Sequence, residues 1–132
     1  MLLVHTELRP SSIHGLGCFT LEPISTYQPV WVFDARIDLI IPFKELRNFP
    51  MPIQEYLLTY CYMEIRNGDK ALVLCGDNSK YMNHSNMPNL IEVNHDNTSI
   101  NVAIVDIKAG EELTCNYFDF DLDAHRKLDM YD

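Results

Sequence analysis

Basic residues are scarce in this chain. Ten Lys and Arg stand against 19 Asp and Glu over 132 residues, for a formal net charge of −9. No Lys/Arg run occurs, which removes the clustered cations that binding to a phosphate backbone relies on. Nucleic acid is therefore not expected as a partner, and the acidic surface steers toward basic ones such as lysine-rich peptides. Long apolar runs are missing too. The longest are strand-sized, far short of the roughly 20 residues a membrane span requires, so no membrane partner is expected. The opening MLLVHTELRP has no basic region ahead of its apolar residues and does not read as a signal peptide or anchor. The expected location is cytoplasmic, or at least intracellular, with the nucleus left open. Cysteine is limited to Cys18, Cys61, Cys75 and Cys115, far apart and without a C-x-x-C pair, and the five histidines are equally scattered. That pattern offers no metal site and reads as reduced, buried thiols.

What is present fits one small domain spanning 1–132, mainly β in class. LLVHTEL (2–8), GCFTLE (17–22), PVWVF (29–33) and ARIDLII (35–41) are rich in β-branched and aromatic residues and are separated by turn residues. Pro42 and Pro52 each stand where a helix can begin, and FKELRNF and IQEYLLTY follow them with helix-like patterns. Strand signals resume at YCYMEI and KALVLC. They continue after a polar run as LIEVN and SINVAIVDI, joined by HDNT as a hairpin turn. TCNYF reads as a last short strand and DAHRKLDMY as a terminal helix.

Three short stretches carry candidate chemistry. His14-Gly15-Leu16-Gly17 contains a G-x-G whose glycines permit a sharp turn and close approach of a ligand to the backbone. Strand-like CFTLE follows it, so it is not a dinucleotide fingerprint, which needs a third glycine and a helix. Taken alone it is a tight turn. The polar run YMNHSNMPNL (81–90), taken alone, is an Asx-rich turn. It lacks the glycines of a nucleophile elbow around Ser85. Tyr117, in GEELTCNYFDFD, is either a packed strand tyrosine or a positioned phenol able to hydrogen-bond a reacting group. The acids around it (Glu111, Glu112, Asp119, Asp121, Asp123) read as a solvated face.

In combination the three say more. An early H-G-x-G, a later N-H-S-x-x-P-N and a terminal G-E-E-L-T-x-x-Y, in that order, resemble the SET domain of protein lysine methyltransferases. The resemblance is strongest over 12–121. It implies a fold of several small curved β-sheets, with one or two short inserted helices and a C-terminal pseudoknot that brings Tyr117 beside Asn83 and His84. It also implies S-adenosylmethionine as cofactor, bound on one face, and a lysine of a protein substrate entering from the other through an aromatic channel.

Carried over by residue, Gly15, Leu16 and Gly17 would present backbone to the methionine part of the cofactor. Asn83 would hold it by its side chain and His84 largely by its main chain. Tyr117 matches the catalytic tyrosine and touches both cofactor and substrate. Tyr81 and Phe120 are further cofactor-binding candidates, as wall and adenine cover, with Phe118 beside Phe120. Tyr56, Tyr60 and Tyr62 are candidates for the substrate channel, although YLLTY at helical spacing also fits core packing. Ser85, Pro88 and Asn89 would shape the pseudoknot. The cysteine-rich segments that flank many relatives are absent from 118–132, so the channel would be completed by that segment, by a partner or by a second copy in a homodimer. A catalytically inactive interaction module on the same fold is the competing reading. The intact Asn83-His84 pair and Tyr117 favour the enzyme.

Overall fold

The computed structural model describes residues 1–96 and 98–129. The chain runs β1 (Thr6–Pro10), β2 (Leu16–Thr20), β3 (Pro29–Val32), β4 (Leu39–Pro42), a 3-10 segment (Phe43–Asn48) and α1 (Met51–Tyr60). It continues through β5 (Tyr62–Arg66), β6 (Asp69–Leu74), a 3-10 turn (Asn78–Tyr81), β7 (Asn83–His84), β8 (Leu90–His95) and β9 (Thr98–Ala103). β10 (Thr114–Cys115), a last 3-10 turn (Tyr117–Asp119) and α2 (Ala124–Asp129) complete it. The strands form four small sheets: β1-β2, β3-β9-β8, β4-β6-β5 and the pair β7-β10. The last pair is parallel, with Thr114 beside Asn83 and Cys115 beside His84.

That short parallel pair makes the knot-like crossing. Asn89 pins it with its side chain: Oδ1 accepts from the Thr114 N–H at 2.8 Å, and Nδ2 donates to the Glu112 carbonyl at 2.8 Å. The C-terminal segment is thereby held alongside the 83–89 loop.

Several elements are shorter than their sequence patterns predict, each for a local reason. ARIDLII yields a strand only from Leu39. Before it, Asp34 accepts from the Arg36 N–H and Asp38 accepts from the Asp34 N–H, which folds 34–38 into a turn. FKELRNF forms a 3-10 segment rather than an α-helix, because Phe49 is extended ahead of Pro50. Pro52 sits in the first turn of α1, where its missing N–H is harmless. SINVAIVDI leaves its ladder after Ala103, as the Ile104 N–H turns to the Asn89 carbonyl. TCNYF stops after Cys115, where the Asn116 side chain caps the following 3-10 turn. In HDNT, Asp96 takes a positive φ of 50°, while Asn97 lies outside the described residues, as do the last residues of DAHRKLDMY.

Two apolar cores result. One joins Cys18, Ile24, Val30, Leu90, Ile107 and Leu113, with Tyr117 and Phe120 packed on it. The other joins Ile41, Leu46, Leu57, Cys61, Met63 and Leu72, with Tyr56 packed on it. Tyr117 and Phe120, at the edge of the first core, line the functional site.

Candidate functional site

The β1-β2 turn is built by Ser11, whose N–H donates to the Gly15 carbonyl at 2.7 Å and whose hydroxyl accepts from the Ile13 N–H at 2.9 Å. Gly15 has a positive φ of 46°, and a Cβ there would meet no atom within 4 Å. The glycine is required by backbone conformation rather than by crowding. Gly17 is the reverse case. A Cβ on it would stand 2.4 Å from a Glu112 carboxylate oxygen.

Asn83 ties this turn to the pseudoknot. Its Nδ2 reaches the His14 carbonyl at 3.0 Å, the Leu16 carbonyl at 3.2 Å and the Glu112 carboxylate at 2.9 Å. Glu112 in turn accepts from the Ser11 hydroxyl at 2.7 Å. The residue expected on a solvated acidic face is therefore a clamp between two motifs. Its place inside G-E-E-L-T was the one signal in the sequence.

His84 uses its ring to place Tyr117. Nδ1 accepts from the Tyr117 N–H at 3.1 Å, and Nε2 lies 2.9 Å from Asn86 Oδ1. An accepting Nδ1 and a donating Nε2–H together define the neutral Nε2–H tautomer. The Tyr117 hydroxyl donates to the Met82 carbonyl at 2.5 Å, and its ring lies edge-on to Phe120 at 6.0 Å.

Two cavities meet at this tyrosine. The first is lined by His14, Gly15, Leu16, Tyr81 and Asn83. The second is lined by Trp31, Tyr62, Cys75, Phe120, Asp121 and Lys127. Thr59, Tyr60, Lys80, Met82 and Tyr117 line both. Of the residues expected at a cofactor, Gly15, Leu16, Tyr81, Asn83 and Tyr117 thus share one cavity. Gly17 and His84 do not line it, and Phe120 lines the other. Of the residues expected at a substrate, Tyr60, Tyr62 and Tyr117 line the second cavity. Tyr56 stands outside it, 4.8 Å from Tyr60 in ring-to-ring contact. Phe118 is exposed, 5.6 Å from the His84 ring.

Three residues not singled out from the sequence belong here. The Lys80 ammonium donates to the Tyr56 hydroxyl at 2.8 Å and lies 5.6 Å from the ring centres of Tyr56 and Tyr81. The Tyr56 hydrogen bond raises its pKa, so Lys80 holds its proton more firmly than an ordinary lysine. Trp31 is buried and, among the described residues, its indole N–H has no partner. Asp121, also assigned to the solvated face, is buried. It accepts from the Met63 N–H at 3.0 Å and the Asp123 N–H at 2.9 Å. The second cavity is poorly solvated. Burial pushes the Tyr62 phenol and the Cys115 thiol well above their ordinary values, and Cys75 to about 11. Among the described residues no cluster of His, Cys, Asp and Glu could hold a metal. Nor, among the described residues, is any helix long and apolar enough to cross a membrane.

The model of the SET domain family matches residues 15–118. In structure the chain is similar to Chaetomium thermophilum polycomb repressive complex 2 bound to the inhibitor GSK126, at 25% identity and a TM-score of 0.69 over 96% of this chain. It is similar to the same organism's complex in an autoinhibited conformation bound to S-adenosylmethionine, at 26% identity and a TM-score of 0.66 over 97% of this chain. The match covers 17% of each of those chains. A Plasmodium falciparum chain described as a candidate histone methyltransferase matches at 20% identity, with a TM-score of 0.60 over 88% of this chain and 95% of that one. No curated protein matches the sequence.

Proposed function

The chain belongs to the SET domain family, and from that premise we propose that it transfers a methyl group from S-adenosylmethionine to the side-chain amine of a lysine in a protein substrate. One observation carries this reading. Two cavities, one lined by the glycine turn and Asn83 and one by aromatic rings, share a wall made of Thr59, Tyr60, Lys80, Met82 and Tyr117. A transfer between two bound molecules needs such a junction, because alignment across it is the protein's main contribution.

The first cavity suits the cofactor. Lys80 supplies a cation for its carboxylate. Asn83 spends its Nδ2 on the turn, and among the described residues no donor bonds its Oδ1, which leaves an acceptor for an amine. Gly15 and Leu16 offer main chain with open space over Gly15. When bound, S-adenosylmethionine supplies a methyl already activated on a sulfonium.

The second cavity suits a lysine side chain. Tyr60, Tyr62, Phe120 and Trp31 keep water from its stem, and the dry surroundings weaken the amine's hold on its proton, which in water has a pKa of about 10.4. That proton leaves to water. Tyr117, donating to Met82, presents its oxygen as an acceptor to an amine N–H and so turns the nitrogen lone pair toward the methyl. The net charge of −9 favours a basic protein as substrate.

The test is calorimetry with S-adenosylmethionine, then transfer of its labelled methyl to unfractionated core histones and to a cell lysate. Saturable binding and label on lysine are expected. Absence of binding at millimolar cofactor would remove the reading.

A further inference from the structure

The second cavity already contains an ammonium group. Lys127, on α2, is only 6% exposed, in a class of residue that is almost never buried without a partner. Its Nζ donates to Asp121 Oδ2 at 2.7 Å and to the Cys61 carbonyl, and lies 6.0 Å from the centre of the Tyr117 ring. A carboxylate, a carbonyl and an aromatic face are the partners that an incoming lysine ammonium would need.

The holding set is itself fixed. Asp121 is locked by the main-chain N–H groups of Met63 and Asp123, while Leu122 donates to the Met63 carbonyl at 3.0 Å. α2, by contrast, is only six residues long. It is held by Lys127, by Arg126, which donates to the Leu58 carbonyl at 2.8 Å, by the buried Ala124 and by His125, whose ring lies 4.9 Å from that of Phe118. The receptor is thus fixed by main-chain bonds, while the ammonium within it is carried on a helix of under two turns.

We propose that Asp121, the Cys61 carbonyl and the Tyr117 face form an entry site for the substrate lysine in its ammonium form, ahead of its deprotonation beside the Tyr117 oxygen, and that Lys127 holds this site at rest as an internal competitor. This rests on the reading of the second cavity as the acceptor site. Asp121 Oδ1 is taken by Met63 and Asp123, which leaves Oδ2 for an ammonium, and a second ammonium beside Lys127 there would be repelled at contact range, so substrate binds only when Lys127 leaves. The apparent affinity for substrate is then lowered by the fraction of molecules in which the site is closed. A purely structural ion pair would behave differently, since breaking it would weaken the fold without improving substrate binding.

The first experiment titrates Lys127→Ala and the unaltered chain with n-butylammonium chloride, which has lysine's four-carbon stem and ammonium, by calorimetry. Binding to Lys127→Ala at least tenfold tighter than to the unaltered chain is expected, and its loss in Lys127→Ala/Asp121→Asn. With core histones and cofactor, Lys127→Ala should lower KM several-fold without lowering kcat. A folded Lys127→Ala that binds butylammonium no better than the unaltered chain overturns the proposal. A second measurement needs no variant. Hydrogen exchange of the α2 amides in the unaltered chain should accelerate saturably with butylammonium but not with sodium chloride of equal strength. Equal exchange in the two salts overturns the proposal even if Lys127→Ala fails to fold. Cofactor binding is untouched by either result, so failure of the methyltransferase reading would be seen separately, in calorimetry with S-adenosylmethionine.

Discussion

The Tyr117 hydroxyl donates to the main-chain carbonyl of Met82, 35 positions earlier in the chain, at 2.5 Å. Met82 directly precedes Asn83, so the contact links the two motifs by a second route besides the Thr114–Asn83 strand pair. It also fixes the phenol at the wall common to both cavities.

Tyr117→Phe keeps the ring against His84 and Phe120 and removes only the oxygen. Methyl transfer should fall by about 10²-fold or more, the usual range for a positioned proton-handling or hydrogen-bonding group. Cofactor affinity should change little, since Asn83 and Lys80 remain. The orphaned Met82 carbonyl should cost about 1 kcal/mol of stability. Labelled-methyl assays, calorimetry and urea denaturation measure the three quantities. Retention of full turnover would remove Tyr117 from the mechanism.

Gly17→Ala tests the clamp behind the turn. The new methyl group would be driven into the Glu112 carboxylate. That carboxylate is not a loose end, because Ser11 and Asn83 hold it. Displacing it should free Asn83 and loosen the turn at His14 and Leu16. The expected result is cofactor binding weakened at least tenfold, with the fold retained by circular dichroism. Gly15→Ala should also weaken binding, by strain at a positive φ rather than by collision. Unchanged calorimetry in Gly17→Ala would mean that the Glu112 link does not support the cofactor cavity.

The sequence revealed the order of motifs far better than the partners of individual side chains. Strands of four to six residues with β-branched patterns were legible, but β7 and β10 have two residues each, too few for any periodicity to register. Their pairing makes the knot, and only the resemblance to known SET domains announced it. Glu112 and Asp121 were read as surface because an acidic run looks solvated. Their partners lie far along the chain, Asn83 at 29 positions from Glu112 and the Met63 N–H at 58 positions from the buried Asp121. Lys80 and Lys127 were missed for the same reason. A lysine is solvated by default, and nothing local signals that Tyr56, Asp121 or Tyr117 will come to stand beside it.

Acid should loosen the N-terminus through Asp77. Burial alone would raise its pKa, but bonds from the Ser79 hydroxyl, the Leu2 N–H and the Ser79 N–H outweigh it and leave the value below that of an ordinary aspartate. A carboxylate with a lowered folded-state pKa stabilises the fold above its unfolded value, near 3.9, and loses that contribution as pH falls through the folded value. Asp77→Asn should therefore cost about 1–2 kcal/mol near pH 7, and less as pH falls from the ordinary aspartate range through the folded value. Urea denaturation of both proteins across that range measures the difference. A gap that stays constant with pH would show that the charge of Asp77 contributes nothing.

The four thiols should be inert in the folded protein, and unequally so. All are buried and unpaired as disulfides. Burial pushes Cys18 and Cys61 to about 12 and Cys115 higher still, while Cys75 reaches about 11. Since the thiolate is the reacting form, only roughly one Cys75 in a thousand is reactive at pH 8, and about tenfold fewer of Cys18 or Cys61. Cys75 also lines the second cavity, so a small reagent has a route to it. Iodoacetamide at pH 8 should label Cys75 first and slowly, leave Cys18 unlabelled, and modify all four at once in urea. Because Cys75 lines the cavity that Lys127 fills, Lys127→Ala should speed its labelling without exposing Cys18. Labelling of Cys18 at the rate of Cys75 would mean that alkylation proceeds through global unfolding rather than through that cavity.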